Sequence, residues 1–505
     1  MTSPRFRLTA LASSLLIGGL VLTGCATTAT TPTTSAASLS GEAGLTAEAV
    51  LAANEDATTT NDDEWTLDGA VEVDLADPSG EGVSVDGSTV TITAAGTYVL
   101  SGSLDGQVVV SAPDDAVVAL VLDGVDVTSA DSAAIAVLTA DDVAVYLEGS
   151  NTLVSTGDDE DANAALFSDA DLTISGDGSL DVTSTVNDGI TSQDDLVVLS
   201  GDVTVDAADD GLRGKDSLTI EGGTITVDAG GDGLKADNAD EATRGYIDVS
   251  GGALDVAAGD DALAAETDVV VTGGTLSLQA ADKGIKAVVN ALVEGGSVTI
   301  GTSVEGVEAA YITVNDGTLD VTSSDDGLNA TTGTGSMGDD GSFITIAGGE
   351  TTLDADGDGF DSNGSALMSG GTLTVLGPEN DGNGALDVNG SFTVSGGTLL
   401  AAGSSGMMVS PADSSEQPWI AAVLDGTYGA GDTVQVLDAS GAVLAEFEAT
   451  KSFASVVYSS DALVDGASYT LTVNGSTVGT VTEGTAAAGG GMGGGPGGGG
   501  PRPQG

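Results

Sequence analysis

Histidine is absent from these 505 residues and cysteine occurs once. Aromatic side chains make up 3%, and 10 basic residues face 78 acidic ones. Each shortage excludes something. Without histidine, and with a single thiol, the usual Ser–His and Cys–His nucleophilic systems cannot be assembled. One cysteine allows no intrachain disulfide. A formal charge of −68 makes nucleic acid and anionic membrane surfaces poor partners, because they repel such a field. It favours cations, or anionic ligands bridged by cations, although solubility alone is an equally good account of the acidity. Few aromatics also mean few platforms for stacking the apolar faces of neutral sugars. Trp65 and Trp419 fall outside the regular part of the chain.

Long apolar runs are missing too, apart from Leu8 to Val21. That run is too short for an ordinary membrane span. Arg5 and Arg7 precede it, and Leu22-Thr23-Gly24-Cys25 follows with the form of a lipobox. Residues 1–24 therefore read as a lipoprotein signal peptide, with lipid expected on Cys25 and the chain tethered at the extracellular face of the cell membrane. Losing residues 1–24 removes two arginines and no acids, which takes the formal charge from −68 to −70. Residues 25–60, rich in Thr, Ala and Ser, read as a flexible linker. Residues 485–505, dominated by glycine, read as a disordered tail.

What is present is a repeat. In "SLTIEGGTITVDAGGDGLKADN" (217–238) Leu218 and Ile220 alternate with polar residues, as do Ile225 and Val227, and Leu234 follows a glycine. These are three very short strands separated by glycine turns. The second glycines of successive pairs, Gly252, Gly274 and Gly296, lie 22 residues apart. An Asp-Gly-aliphatic step keeps time with them at Asp188, Asp210, Asp232, Asp326 and Asp358, with variants at Lys283 and Glu305. Three strands per 22-residue repeat describe one coil of a parallel β-helix, stacked at roughly 4.8 Å on the next. The expected fold is all-β: a right-handed parallel β-helix over 61–412, the handedness resting on the general crossover preference together with the family resemblance that follows. A small antiparallel β unit over 413–484 closes its end.

Four stretches resemble the bacterial surface carbohydrate-binding β-helix proteins, which share their shape with polysaccharide lyases. They are "TITAAGTYVLSG" to "VALVLDGVDVTS", "DGFDSNGSALMSGGTLTV", "GNGALDVNGSFTVSGGTLLAAG" and "KSFASVVYSSDALVDGASYTL". The resemblance covers roughly residues 85–475. It implies calcium-assisted binding of plant-type polysaccharides such as pectin or cellulose, without established turnover. The extreme acidity and sparse aromatics of this chain depart from that pattern.

In the repeat register, outward residues stack into ladders. Stacked carboxylates repel, so cations, bound calcium or raised pKa values are expected. Arg213, Lys235 and Lys286 follow the inward aliphatic residue of three coils and form a short basic ladder. It serves either to compensate neighbouring acids or to grip a uronate carboxylate. Further along, the same position becomes Asn329, Asp361 and Asp387. Asp354, Asp356, Asp358 and Asp361 have the alternating spacing of a calcium loop, and Asp381, Asn383 and Asp387 repeat it one coil on. No lysine or arginine lies between Lys286 and Lys451 to offset them. This is the expected calcium site, built between coils. Tyr246 and Tyr311 begin strands after insertions and are the candidate exposed sugar platforms, whereas Phe360 and Phe392 sit at inward phase. No catalytic residue is assigned. A calcium-dependent lyase and a non-catalytic adhesin or spacer remain the alternatives.

Overall fold

The alternation of aliphatic and polar residues is realised as three-stranded coils that stack through parallel pairing. The computed structural model describes residues 45–335 and 338–485. Cys25 and the signal segment, the linker before Leu45, and the tail beyond Thr485 lie outside the described residues.

One coil serves for all. Ser217–Ile220 lies on a first face, Thr224–Ala229 on a second and Leu234–Ala236 on a third. Each pairs in parallel with its equivalent in the next coil, so Leu218 meets Ile247, Ile225 meets Leu254 and Leu234 meets Leu263. The third face alone gathers fourteen strands. The offset between paired residues is 22 where no insertion intervenes (Arg213 with Lys235) and 32 where one does (Asn329 with Asp361). Insertions loop outward and leave the register intact. Aliphatic columns from all three faces fill the interior, including Ile190, Leu212, Leu234, Leu263, Ile285, Val307 and Leu328. Phe360 and Phe392 join this core, with ring centroids 5.5 Å apart.

The end of the solenoid is closed as expected. Phe453–Ser459 pairs antiparallel with the last coil strand, Thr398–Gly403, and on its other side with Trp419–Tyr428. A separate four-stranded antiparallel sheet over 433–482 packs on a core of its own. The open edge of the last second-face strand is thereby covered.

The expected linker is corrected from Leu45 onward. A short helix, Ala47–Leu51, capped by the Thr46 side chain, begins a strap that runs back along the first face. Leu45, Ala47 and Val50 pack on Val270 and Leu292. Asn315 Nδ2 donates to the Leu45 carbonyl at 2.7 Å, and Asn54 Nδ2 donates to Asp268 at 2.9 Å. The Thr58 N–H donates to Asp195 at 2.8 Å, and the Thr60 N–H to Thr173 at 2.9 Å. Trp65 ends the strap edge-on to Tyr146, centroids 5.1 Å apart. First-face strands such as Ser217–Ile220 and Asp268–Val271 are consequently buried on both sides, while Thr224–Ala229 on the second face alternates exposed and buried.

The glycine of the Asp-Gly step is explained by close approach. A Cβ on Gly233 would lie 2.6 Å from the Ala262 carbonyl oxygen and well inside contact with the Val256 side chain of the next coil. Gly233→Ala should cost about 1–3 kcal/mol through overpacking. Gly429→Ala, in a loop with nothing near its Cβ position, should cost under about 0.5 kcal/mol. Urea titration of the two variants separates them.

Candidate functional site

The Asp-Gly steps and the residues after them stand in two parallel columns on the third face. In the first column the carboxylates do not merely repel. Asp188 Oδ1 accepts the Asp210 N–H at 3.2 Å, Asp210 Oδ1 accepts the Asp232 N–H at 2.9 Å, and Asp232 Oδ1 accepts the Asp261 N–H at 3.1 Å. Asp261 then accepts from the Lys283 N–H at 2.9 Å. Beyond the insertions the pattern resumes, with Asp326 accepting from the Asp358 N–H at 2.7 Å and Asp358 from the Gly384 N–H at 2.6 Å. Each carboxylate thus ties its coil to the backbone of the next.

The second column runs Thr191, Arg213, Lys235, Ala264, Lys286, Glu308, Asn329, Asp361, Asp387, one residue per coil. The basic ladder exists, with Ala264 interrupting it, and its charges are consumed by the first column and its neighbours. Lys235 Nζ lies 2.9 Å from Asp210 and 2.8 Å from Asp232. Lys286 Nζ lies 3.0 Å from Asp261, and Arg213 pairs with Asp237 at 2.9 Å. Burial pulls the Lys235 ammonium down, but the Asp232 and Asp210 carboxylates outweigh it and hold the group above the ordinary lysine range. Of the two roles expected for these residues, charge compensation is the one this geometry displays.

Further along the column, acids face acids. Burial pushes the Asp361 carboxyl up to about 8, reinforced by Asp326, Asp387, Asp358 and Glu305. Asp326 is pushed up to about 7 and Asp358 to about 6, again chiefly by burial. Asp387 is raised by burial. The Asn329 amide oxygen is buried there without a hydrogen-bond partner.

Half of the expected calcium loop is engaged otherwise. Lys451 Nζ reaches back from the C-terminal unit to within 2.6 Å of Asp354 and 2.7 Å of Asp356. The reading that no cation offsets these two acids is corrected: a residue 95 positions away supplies one. Asp381 is exposed, and Asn383 is half-buried with its carbonyl accepting from the Ser404 hydroxyl at 2.6 Å. Asp358, Asp361 and Asp387 remain together on the third face. Among the described residues, three carboxylate groups bring ligand atoms within 4.8 Å of one another: Asp171, Asp194 and Asp195; Asp188, Asp209 and Asp210; Asp232, Asp260 and Asp261. The 354–387 acids do not make such a group.

The aromatic expectation divides. Tyr246 is 5% exposed, lies under the strap and donates its hydroxyl to the Glu55 carbonyl at 2.9 Å, so it offers no face to a sugar. The insertion before it, read as a sign of exposure, instead carries Arg244, which pairs with Glu55 at 3.0 Å and with Asp216. Tyr311 is half-buried between Asn290 and Phe343 in the first-face register.

The family model described as carbohydrate-binding domain-containing protein matches residues 86–327 and 310–427, which takes in both columns. The chain belongs to this family. A relative of the same description from Acetivibrio thermocellus is 32% identical over 137 residues, 25% of this chain and 48% of the relative. The chain thus spans about half the length of that curated relative. The solved polysaccharide lyase-like protein from C. thermocellum, a gadolinium derivative, is 28% identical. Its alignment covers 52% of this chain and 97% of that one, with a TM-score of 0.36.

This family member keeps a further raised acid beneath the strap. Burial, with Glu221 nearby, pushes Asp248 up to about 6, and its Oδ1 has no partner. The folded chain holds this proton more tightly than the unfolded one. Stability is therefore lost as pH rises from about 4 through 6, and the penalty is complete above that. Asp248→Asn should stabilise the fold by about 1–3 kcal/mol at pH 8 and leave it unchanged at pH 3, as read by denaturant titration at both values.

Proposed function

We propose that the protein binds polysaccharide along the outward side of the third face, assisted by calcium, while lipid on Cys25 holds it at the cell surface. The observation that supports the binding surface best is the register column from Arg213 to Asp387. Apart from the gap at Ala264, it presents one polar side chain per coil at strand spacing, donors first and acceptors after. A glycan chain is itself a linear array of hydroxyls, and a linear array of donors and acceptors suits it. The strap denies it the first face from the coil of Asn315 back toward that of Tyr146. Every lysine and arginine named in the column is ion-paired, which argues against any of these three as the base of a lyase and favours binding over turnover along the column.

The acidic end supplies the donor types calcium takes, although its carboxylates do not all come within 4.8 Å of one another as those of the three groups above do. Asp358, Asp361 and Asp387 offer hard oxygen ligands, and the orphaned Asn329 amide oxygen adds a neutral one. Calcium bound there supplies charge neutralisation and an oxygen-binding centre for a glycan carboxylate. Asp354 and Asp356, held by Lys451, drop out of the set. A chain of charge −68, or −70 after loss of the two arginines of 1–24, repels a polyuronate unless a cation bridges the two.

Chelation should therefore lower the melting temperature and weaken retention of polygalacturonate together. A ligand of the native state alone stabilises by about 2.7 kcal/mol at a hundredfold excess over its Kd. The double variant Asp361→Ala, Asp387→Ala should lose both responses. Full calcium stoichiometry by calorimetry in that variant would move the ion elsewhere. Cys25→Ala should release the chain to the medium or leave its precursor uncleaved, and unchanged detergent-dependent membrane association would refute the anchor.

A further inference from the structure

The basic column has one gap, and the gap is shaped. Ala264 stands in register between Lys235 and Lys286, so the two ammonium-bearing coils are two strand spacings apart, about 10 Å. Between them lies a notch of about 260 Å³, with Ala264 and Ala265 among its lining. Val288, 54% exposed, lines it as well, an unusual position for a large aliphatic residue on so polar a surface. Asp260 and Glu266 are exposed at the same notch.

The unused hydrogen-bonding capacity defines the occupant. An ammonium has three donors. Lys235 uses two of them on Asp210 and Asp232, and Lys286 uses one on Asp261. One donor and two donors are left, on lysines that both line the notch. Asp260 and Glu266 form no ion pair or side-chain hydrogen bond among the described residues and can accept. Four lining carboxylates (Asp232, Asp237, Asp260 and Glu266) outnumber the two ammoniums, which disfavours an anionic ligand. A bare cation is disfavoured too, because the lysines already occupy Asp232 Oδ2 and Asp261 Oδ2.

We propose that the notch over Ala264 is a subsite for one uncharged pyranose unit of a neutral glycan. The sugar's C–H face rests on Ala264 and Val288. Its hydroxyls accept from Lys235 and Lys286 and donate to Asp260 and Glu266. The subsite rests on the polysaccharide-binding reading above and extends it: it takes neutral units without calcium, at a place distinct from the acidic end of the column.

The test is calorimetry on the full chain in chelator, with cellohexaose, xylohexaose and mannohexaose as neutral probes. Polygalacturonate, with and without calcium, is the acidic probe. At least one neutral hexasaccharide should bind in chelator. Ala264→Gln, which fills the notch from an outward position, should weaken that binding at least about tenfold and weaken polygalacturonate binding in calcium less. Val288→Asp, at an exposed site, should do the same and covers the case in which the first variant folds poorly. If both variants fold and bind neutral hexasaccharides like the parent, the notch is not the subsite. If the parent binds polygalacturonate with calcium but no neutral probe, the subsite is refuted and the wider reading stands. If it binds no glycan at all, both fall.

Discussion

A carboxylate accepting a backbone N–H from the coil above it is the interaction on which this solenoid depends. Stacked coils bring like residues to within a strand spacing of one another, and a ladder of aspartates at that distance ought to be repulsive. Turning one oxygen of each toward the next backbone converts part of the repulsion into inter-coil hydrogen bonds. The adjoining glycine is required because the aliphatic ladder of the following coil occupies the space a side chain would fill. Asp and Gly are therefore one device: the acid ties coils together, and the glycine lets them close.

The remaining charge is managed regionally. Between Arg213 and Lys286 the column beside the aspartates supplies cations, and each is absorbed by the first column or its neighbours. At Asp354 and Asp356 a lysine arrives from the C-terminal unit. At Asp326, Asp358, Asp361 and Asp387 no such cation arrives among the described residues, and burial holds the carboxyls above their ordinary range. The compensated region leaves spare lysine donors beside an apolar notch, which suits an uncharged sugar. The uncompensated region concentrates hard oxygen ligands, which suits a divalent cation. The third face thus offers two chemical environments, one charge-compensated and one acidic.

The strap decides which faces compete. By covering the first face from the coil of Asn315 back to that of Tyr146, it buries the outward side of strands that would otherwise be open sheet. It also removes Tyr246 as a sugar platform. With aromatics so few, the proposed recognition rests on the polar residues of the third face.

The solenoid was legible in the residues themselves. Fixed spacing, alternating aliphatics and paired glycines are local properties, and a repeat that stacks on itself translates sequence offset directly into spatial neighbours. For that reason the column from Arg213 to Asp387 could be read in order, and Phe360 and Phe392 could be assigned to the core. The gap at Ala264 was visible too, as Leu-Ala-Ala where the preceding coil has Leu-Lys-Ala, but its meaning was not. Only the folded molecule shows that the lysines on either side retain unused donors and that Val288 lines the space between them. Contacts that leave the repeat carry no local signal. Lys451 reaching Asp354 and Asp356, and residues 45–65 lying across the first face, join segments separated by about a hundred residues or more. The sequence by itself determined which side chains stack, because stacking follows the period. The tertiary structure decided which of them are neutralised, covered or left open, because those outcomes depend on the non-repeating segments that fold back onto the repeat.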